Sequence, residues 1–353
     1  MENPRRYLYN TWMNFGPALP ELLPGARNAI ETCLAIQPHE RVALIADRPS
    51  QSVAASLAAA VDQRGAICEG FLLEDLASRP ITRAPQQILD ALGRADAGIL
   101  CMQPQEGELG ARKDIVGVVE RRHIRYAHMV GVTPEIMQQG MRADYTMVDR
   151  LSEKLLQRMH SARSLTVRTE AGTSLVATFD AKLDWVKTSG LISRRYWSNL
   201  PAGEVFTTPA RVDGVFVCDG TAGDHFCGKY GDLKQTPLRL EIREAKLVAA
   251  ECARKDLEQE FWNYCHTDQN SDRVGELAFG TNVSLSDMIG VLLQDEKLPG
   301  VHLAFGDPYG SQTHAPWSSR THVDVLARRC DVWIDDQQVI VKGKYLLDRL
   351  GLS

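Results

Sequence analysis

Six side chains in the second half of this 353-residue sequence could together hold a metal ion and do chemistry with it. They are Glu204, Glu276, His302, Tyr309, His322 and Asp324. Three carboxylates and two imidazoles suit one or two divalent cations, and such cations activate water or oxygen. The tightest spacing is His322-Val323-Asp324. On a strand, positions i and i+2 project from one face, so both heads reach the same point in space. In Asn199-Leu-Pro-Ala-Gly-Glu-Val-Phe206 a Pro/Gly turn delivers Glu204 to the head of an apolar run. Glu276 stands between Gly275 and a Leu-Ala-Phe run, a setting that costs a carboxylate dearly unless a cation or base meets it. His302 lies on an apolar stretch, and the bracket of Gly306 and Gly310 lets His302 and Tyr309 face one cavity. Taken singly, each has a plainer reading. Glu204 could be a turn glutamate facing water, Glu276 a partner for Arg273, His302 a satisfied core histidine, and His322 with Asp324 a simple hydrogen-bonded pair.

The elements that must position these residues fall into two patterns. Arg41–Ala46 reads as a short strand, Gln51–Gln63 has helical spacing with Val53, Leu57, Ala60 and Val61 on one side, and Ala66–Leu73 is a second apolar run. That is one βαβ unit. A helix over 86–93 and strands at Ala97–Met102, His123–Val132 and Asp144–Asp149 continue the alternation. The pattern predicts an open, mostly parallel α/β sheet domain over residues 1–150. No G-x-G-x-x-G or Walker sequence follows the first strand, so this half reads as a scaffold and not a nucleotide site. From Leu151 a helix runs to Arg163. Alternating segments follow at Ser164–Arg168, Ser174–Phe179, Arg211–Cys218, Pro237–Ala249 and Cys330–Lys342, with a helix at Lys255–Tyr264. This predicts a mixed, β-rich α+β metal-binding domain over 151–353, carrying every candidate ligand.

Composition narrows the function. A formal charge of −5 gives no electrostatic reason to expect nucleic acid, and the basic run Arg121-Arg122-His123-Ile124-Arg125 reads as a solvated helix end. Eight cysteines without paired spacing read as buried free thiols in a reducing compartment. The start, Met-Glu-Asn-Pro-Arg-Arg-Tyr, has no apolar core of signal-peptide length, and no apolar run reaches membrane-spanning length. A cytoplasmic protein without membrane partners is the expectation.

The segments N-L-P-A-G-E-V-F (199–206), R-V-G-E-L-A-F-G-T-N (273–282), D-E-K-L-P-G-V-H-L-A-F-G (295–306) and T-H-V-D-V (321–325) together resemble, in order, the motifs of the M29 metalloaminopeptidases of the aminopeptidase T and aminopeptidase S group. The resemblance is clear over roughly residues 160–345. It implies that Glu204, Glu276, His302, His322 and Asp324 hold two divalent metal ions (zinc, cobalt or manganese), with Tyr309 as a catalytic residue. It also implies a cytosolic homodimer acting on the free N-termini of peptides. A metal-activated water would attack the amide carbonyl, Glu276 or Glu204 would take its proton, and Tyr309 would donate to the oxyanion.

The sequence departs from that family between Tyr309 and His322, where His314 and Trp317 replace the expected Gly-Gly and Asn pattern. His314 could be a sixth ligand or a loop histidine. In addition, T-H-V-D-V-L-A-R-R-C-D-V-W-I-D-D (321–336) resembles the end of the 2,5-dihydroxypyridine 5,6-dioxygenases. Those hold one Fe(II) on two histidines and an aspartate. That alternative needs His322, Asp324 and either His302 or Glu276. Glu204 and Glu276 in hydrolase-like settings favour the dinuclear hydrolase.

Overall fold

The computed structural model describes residues 14–352, so the reading of the first seven residues lies outside it. The chain forms two compact units: one up to Tyr145 together with Gly190–Ala202, the other Thr146–Ser189 with Gly203–Ser353. The chain therefore leaves the first unit along the helix Tyr145–Met159 and later returns to it for Gly190–Ala202, a segment the sequence boundary at 150 assigns to the second domain.

The first unit is built on a five-stranded parallel sheet. Its strands are Arg41–Ala46 (β1), Ile67–Leu72 (β2), Ala97–Met102 (β3), Arg125–Val130 (β4) and Ser198–Asn199 (β8), in the order β2-β1-β3-β4-β8. Every residue of β3 is buried, as both faces of a parallel sheet require. The strand predicted at Asp144–Asp149 is instead the start of the helix Tyr145–Met159. Tyr145, Val148, Leu151, Ser152, Leu155 and Met159 are all buried, a 3.6-residue period that wins over the short β-branched look of the segment.

The connection after β1 runs outward to β2 and the one after β3 runs the opposite way to β4, and such a switch point opens a crevice at the strands' carboxyl ends. Here the chain's own charges close it. Asp47 follows β1 and accepts from Ser50 N at 2.9 Å and from Gln103 N, just past β3, at 2.8 Å. Arg79 donates to Asp47, grips both oxygens of Glu108 at 2.8 and 2.6 Å, and donates to the Gln103 carbonyl at 2.6 Å. The side chains of Arg79, Asp47 and Glu108 are 5%, 0% and 1% exposed.

The second unit pairs two antiparallel sheets. The larger runs β12-β11-β10-β6-β5-β16-β17-β18, from Lys246–Glu251 (β12), Leu238–Arg243 (β11), Arg211–Cys218 (β10), Ser174–Thr178 (β6), Ser164–Arg168 (β5), Asp331–Ile334 (β16), Gln337–Val341 (β17) and Lys344–Tyr345 (β18). The smaller runs β15-β14-β13-β9-β7, from His322–Leu326 (β15), Gly300–Gly306 (β14), Val274–Gly280 (β13), Glu204–Thr207 (β9) and Val186–Thr188 (β7). Both contribute to one hydrophobic core. The single strand read at Pro237–Ala249 is the β11–β12 hairpin. Glu244 and Ala245 both take positive φ, the two-residue turn whose usual Asn-Gly signature is missing here. All eight cysteines are free, and all but the partly buried Cys227 are buried. Among the described residues no helix is long and apolar enough to cross a membrane.

Replacing Arg79 with Met strands Asp47 and Glu108 without a counter-charge, and should cost about 3–5 kcal/mol in urea unfolding of the full chain. A loss below about 1 kcal/mol would refute the role given to Arg79. Burial alone would raise the Glu108 carboxyl, but Arg79 and the amides of Ile81 and Gln105 hold it below the ordinary range. Its contribution is therefore complete above about pH 4.3, the unfolded value, and is lost as pH falls through the lower folded value. Glu108→Gln should flatten the acid limb of the stability–pH curve.

Candidate metal centre

Four strands of the smaller sheet carry the candidate ligands, and strand alternation puts them on one face. Glu204 opens β9, Glu276 lies on β13, His302 on β14, and His322 with Asp324 on β15. Register aligns Glu276, Ala304 and Asp324 across three strands, and pairs Glu204 with Gly280 and Ala278 with His302. The other residues of that face on β13 and β14 are Ala278, Gly280, Gly300, Ala304 and Gly306, too small to separate the polar heads. The opposite face holds Val205, Leu277, Phe279, Val301, Leu303, Phe305, Val323 and Val325, all in the core. Each such side chain contributes roughly 1.5–3 kcal/mol on burial, which anchors the strands.

The glycine before each glutamate has a mechanical role. Gly203 has φ +128°, and a Cβ there would meet Asn282 N at 2.9 Å. At Gly275 a Cβ would lie 2.2 Å from the Gly306 carbonyl oxygen, and the β13–β14 register shifts between Val274 and Glu276. This bulge re-aims Glu276.

The structure brings Glu204, Glu276, His302, His322 and Asp324 together. His302 Nε2 stands 3.0 Å from Glu204 Oε1, 3.8 Å from Glu276 Oε1 and 3.9 Å from Asp324 Oδ1. His302 is 3% exposed, yet Nε2 makes no aligned hydrogen bond with any of them. His322 Nε2 lies 3.5 Å from the same Asp324 Oδ1 and 3.7 Å from Glu276 Oε2. Its Nδ1 is 2.9 Å from the Asp307 carbonyl, which can only accept, so Nδ1 carries the proton and in the neutral ring Nε2 is a bare lone pair. Facing two carboxylates, that nitrogen needs positive charge beside it, either its own proton or a cation. Donors on ~2.1 Å bonds at tetrahedral angles stand about 3.4 Å apart, close to these spacings.

Electrostatics give the same answer. Burial opposes a charged imidazole, but the carboxylates push both His302 (Glu204 and Glu276 foremost) and His322 (Asp324 foremost) up to about 10. Burial pushes Glu276 above its ordinary value, whereas His322 outweighs burial and holds Asp324 below its own. Without a metal the cluster gathers protons where a dication would sit. The donors fit a divalent ion.

Two residues of the site escape a reading of the sequence. Glu296 forms a second possible ligand group with His302 and Asp324, overlapping the group of Glu204, Glu276 and His302. Burial pushes its carboxyl up to about 8. Lys297, 2% exposed, donates to Glu204 Oε2 at 2.8 Å and lies 2.6 Å from Glu296 Oε1. Lys297 and His302 hold Glu204 below its ordinary pKa despite burial. Glu204 Oε2 therefore carries an ion pair that its motif does not reveal. The only advance signal was the adjacent Glu296-Lys297 pair six residues before His302, which reads as a solvated turn.

Tyr309, in a left-handed conformation, packs its ring on His322 with centroids 4.7 Å apart and on Phe206 at 6.0 Å. His314 is a surface residue, 65% exposed and 3.0 Å from Asp184, which settles it as a loop histidine. Trp317 stacks under Arg273 at 4.2 Å. A cavity of about 690 Å³ reaches His302 and Glu296, and its other walls include Arg328, Arg329, Lys342 and Lys344.

Two solved structures share the fold. The 2,5-dihydroxypyridine dioxygenase of Pseudomonas putida KT2440 has TM-score 0.67 and 16% identity, over 92% of this chain and 96% of that one. Wild-type AmpT from Thermus thermophilus has TM-score 0.66 and 16% identity, over 92% and 99%. No curated protein matches in sequence. Residues 125–331, more than half of the chain, match the family described as thermophilic metalloprotease (M29). The chain belongs to the M29 family of metalloproteases.

Proposed function

We propose that this protein is a metal-dependent amide hydrolase of the aminopeptidase type, acting on peptide-like substrates. The observation that carries the reading is the buried His302 Nε2, without a hydrogen bond, facing Glu204, Glu276 and Asp324, with His322 Nε2 turned toward two of the same carboxylates. His302, His322 and Asp324 are the residues that would hold an ion. When bound, a divalent ion there polarises the amide carbonyl and makes water a stronger acid.

The chain's own residues do the rest. Glu276 straddles the two imidazoles with one oxygen toward each, and burial raises its carboxyl above the ordinary range, which makes it a stronger base. It takes the proton from the attacking water as oxygen bonds to the carbonyl carbon. It then delivers that proton to the nitrogen as the C–N bond breaks, so acid and amine leave balanced. Tyr309 donates its hydroxyl to the oxyanion, oriented by its packing on His322. How many ions the centre takes depends on Lys297, because Lys297 already holds Glu204.

A second reading is favoured by one feature. Asp324 Oδ1 within 3.9 and 3.5 Å of two imidazole nitrogens is a two-histidine, one-carboxylate set, which also suits Fe(II) and oxygen chemistry. The P. putida protein of the same fold is a 2,5-dihydroxypyridine dioxygenase.

Chelator treatment should abolish hydrolysis of aminoacyl amides and short peptides, and added Zn(II), Co(II) or Mn(II) should restore it. Glu276→Gln should lower kcat at least about 100-fold with metal content unchanged, and Tyr309→Phe should lower kcat about 100-fold with KM little altered. If no amide in a substrate library is cleaved while the Fe(II) form consumes oxygen on a hydroxypyridine, the dioxygenase reading replaces this one.

A further inference from the structure

Lys297 is a buried lysine in the middle of a site built for metal. Its ammonium joins Glu204, a member of one possible ligand group, to Glu296, a member of the other. The two groups share His302, and each also draws on a carboxylate that Lys297 already holds, Glu204 in one and Glu296 in the other. The donors that Lys297 leaves untouched are His302, His322, Asp324 and Glu276.

Nor is Lys297 a loose arm that could swing aside. Its turn is tied down by Asp295, which accepts from Ile289 N at 2.8 Å, from Gly290 N at 2.9 Å and from the Thr221 hydroxyl at 2.5 Å. The Lys297 carbonyl accepts from Asn282 N at 2.9 Å, and its amide donates to Gln294 O at 2.9 Å. The following Leu298 carbonyl lies so close to β13 that a Cβ on Gly280 would stand 1.9 Å from it. A long side chain rooted in such backbone, with almost no solvent contact, has nowhere to take its charge.

We propose that the Lys297 ammonium serves as a built-in second cation, so that the centre takes one divalent ion and not two. Glu204 is then a positioning residue that carries Lys297 and faces His302, and the ion sits on His302, His322 and Asp324 with Glu276 left free to move protons. This assignment rests on the hydrolase reading only for Glu276's task; the ion count stands on geometry alone.

The test is stoichiometry on the full chain. Protein stripped with chelator and loaded with excess Zn(II) should hold close to one ion by elemental analysis. The Mn(II) form should give the electron paramagnetic resonance signal of an isolated ion, with no spin-coupled pair. Lys297→Gln, which frees Glu204 and Glu296, should bind a second ion and show coupling, whereas Lys297→Arg should stay at one. Two ions in the wild type, none at saturation, or a folded Lys297→Gln that still binds one would each overturn the proposal. Should the variant fail to fold, the wild-type count decides alone. A two-ion protein that cleaves amides sinks the lysine assignment and leaves the hydrolase. A one-ion protein inert to amides does the reverse.

Discussion

Four carboxylates, Glu204, Glu276, Glu296 and Asp324, crowd around one imidazole with a single ammonium among them, and the architecture of the second unit follows from that imbalance. Withdrawing each charge from water costs several kcal/mol even after relaxation. A whole domain is stable by only about 5–15 kcal/mol, so such a site exists only where the scaffold is overbuilt elsewhere. The other face of the same strands does this with eight apolar side chains from Val205 to Val325, all in one core. On β13 and β14 the labour is divided by alternation: from Glu276 onward and along β14 every second residue stabilises, and the intervening ones are either Glu276 and His302 or as small as Ala304 and Gly306.

The first unit shows what a buried charge cluster looks like when it is purely structural. There Asp47 and Glu108 meet Arg79, whose planar fork satisfies both while backbone amides take up oxygen positions on each carboxylate. Acceptors and donors balance, and the crevice at the carboxyl ends of β1 and β3 is closed. In the second unit the accounts do not balance. His302 Nε2 has no hydrogen bond, His322 Nε2 faces two carboxylates, and Glu276 and Glu296 are pushed upward by burial. Polar atoms left without partners, and not burial as such, distinguish a centre that binds from one that merely holds the fold.

Much of the ligand set was legible in the sequence because strand alternation is local. In G-E-L-A-F-G, H-L-A-F-G and H-V-D-V the polar or small residue recurs at every second position, and the apolar partner between them already marks the core face. The glycines before Glu204 and Glu276 were visible too, although their reason, a close approach of Asn282 and Gly306, lies far along the chain. Lys297 and Glu296 were not legible. In D-E-K-L-P-G they look like a charged turn facing water, and only nonlocal contacts through Asp295 and Asn282 fold that turn inward. The helix at Tyr145–Met159 was missed at its start for the opposite reason: six residues are too few to tell its period from a strand's.

A matching set of donor residues is therefore a weaker statement about metal number than it first seems. Glu204 and Glu276 carry the same local motif, a glycine then a glutamate on a strand, yet their surroundings give them different work. Glu204 has a lysine at 2.8 Å and is held in the charged form, a poor proton acceptor. Glu276 has no such cation, stands between two imidazoles, and is pushed toward neutrality. With one ion in the centre, hydrolysis needs a separate base to move the water's proton, and Glu276 is the carboxylate whose environment supplies one. The two fold relatives differ by only 0.01 in TM-score, so backbone similarity has no bearing on this point. What bears on it is where a fixed positive charge enters the ligand shell, a property of one side chain, Lys297, and the turn that holds it.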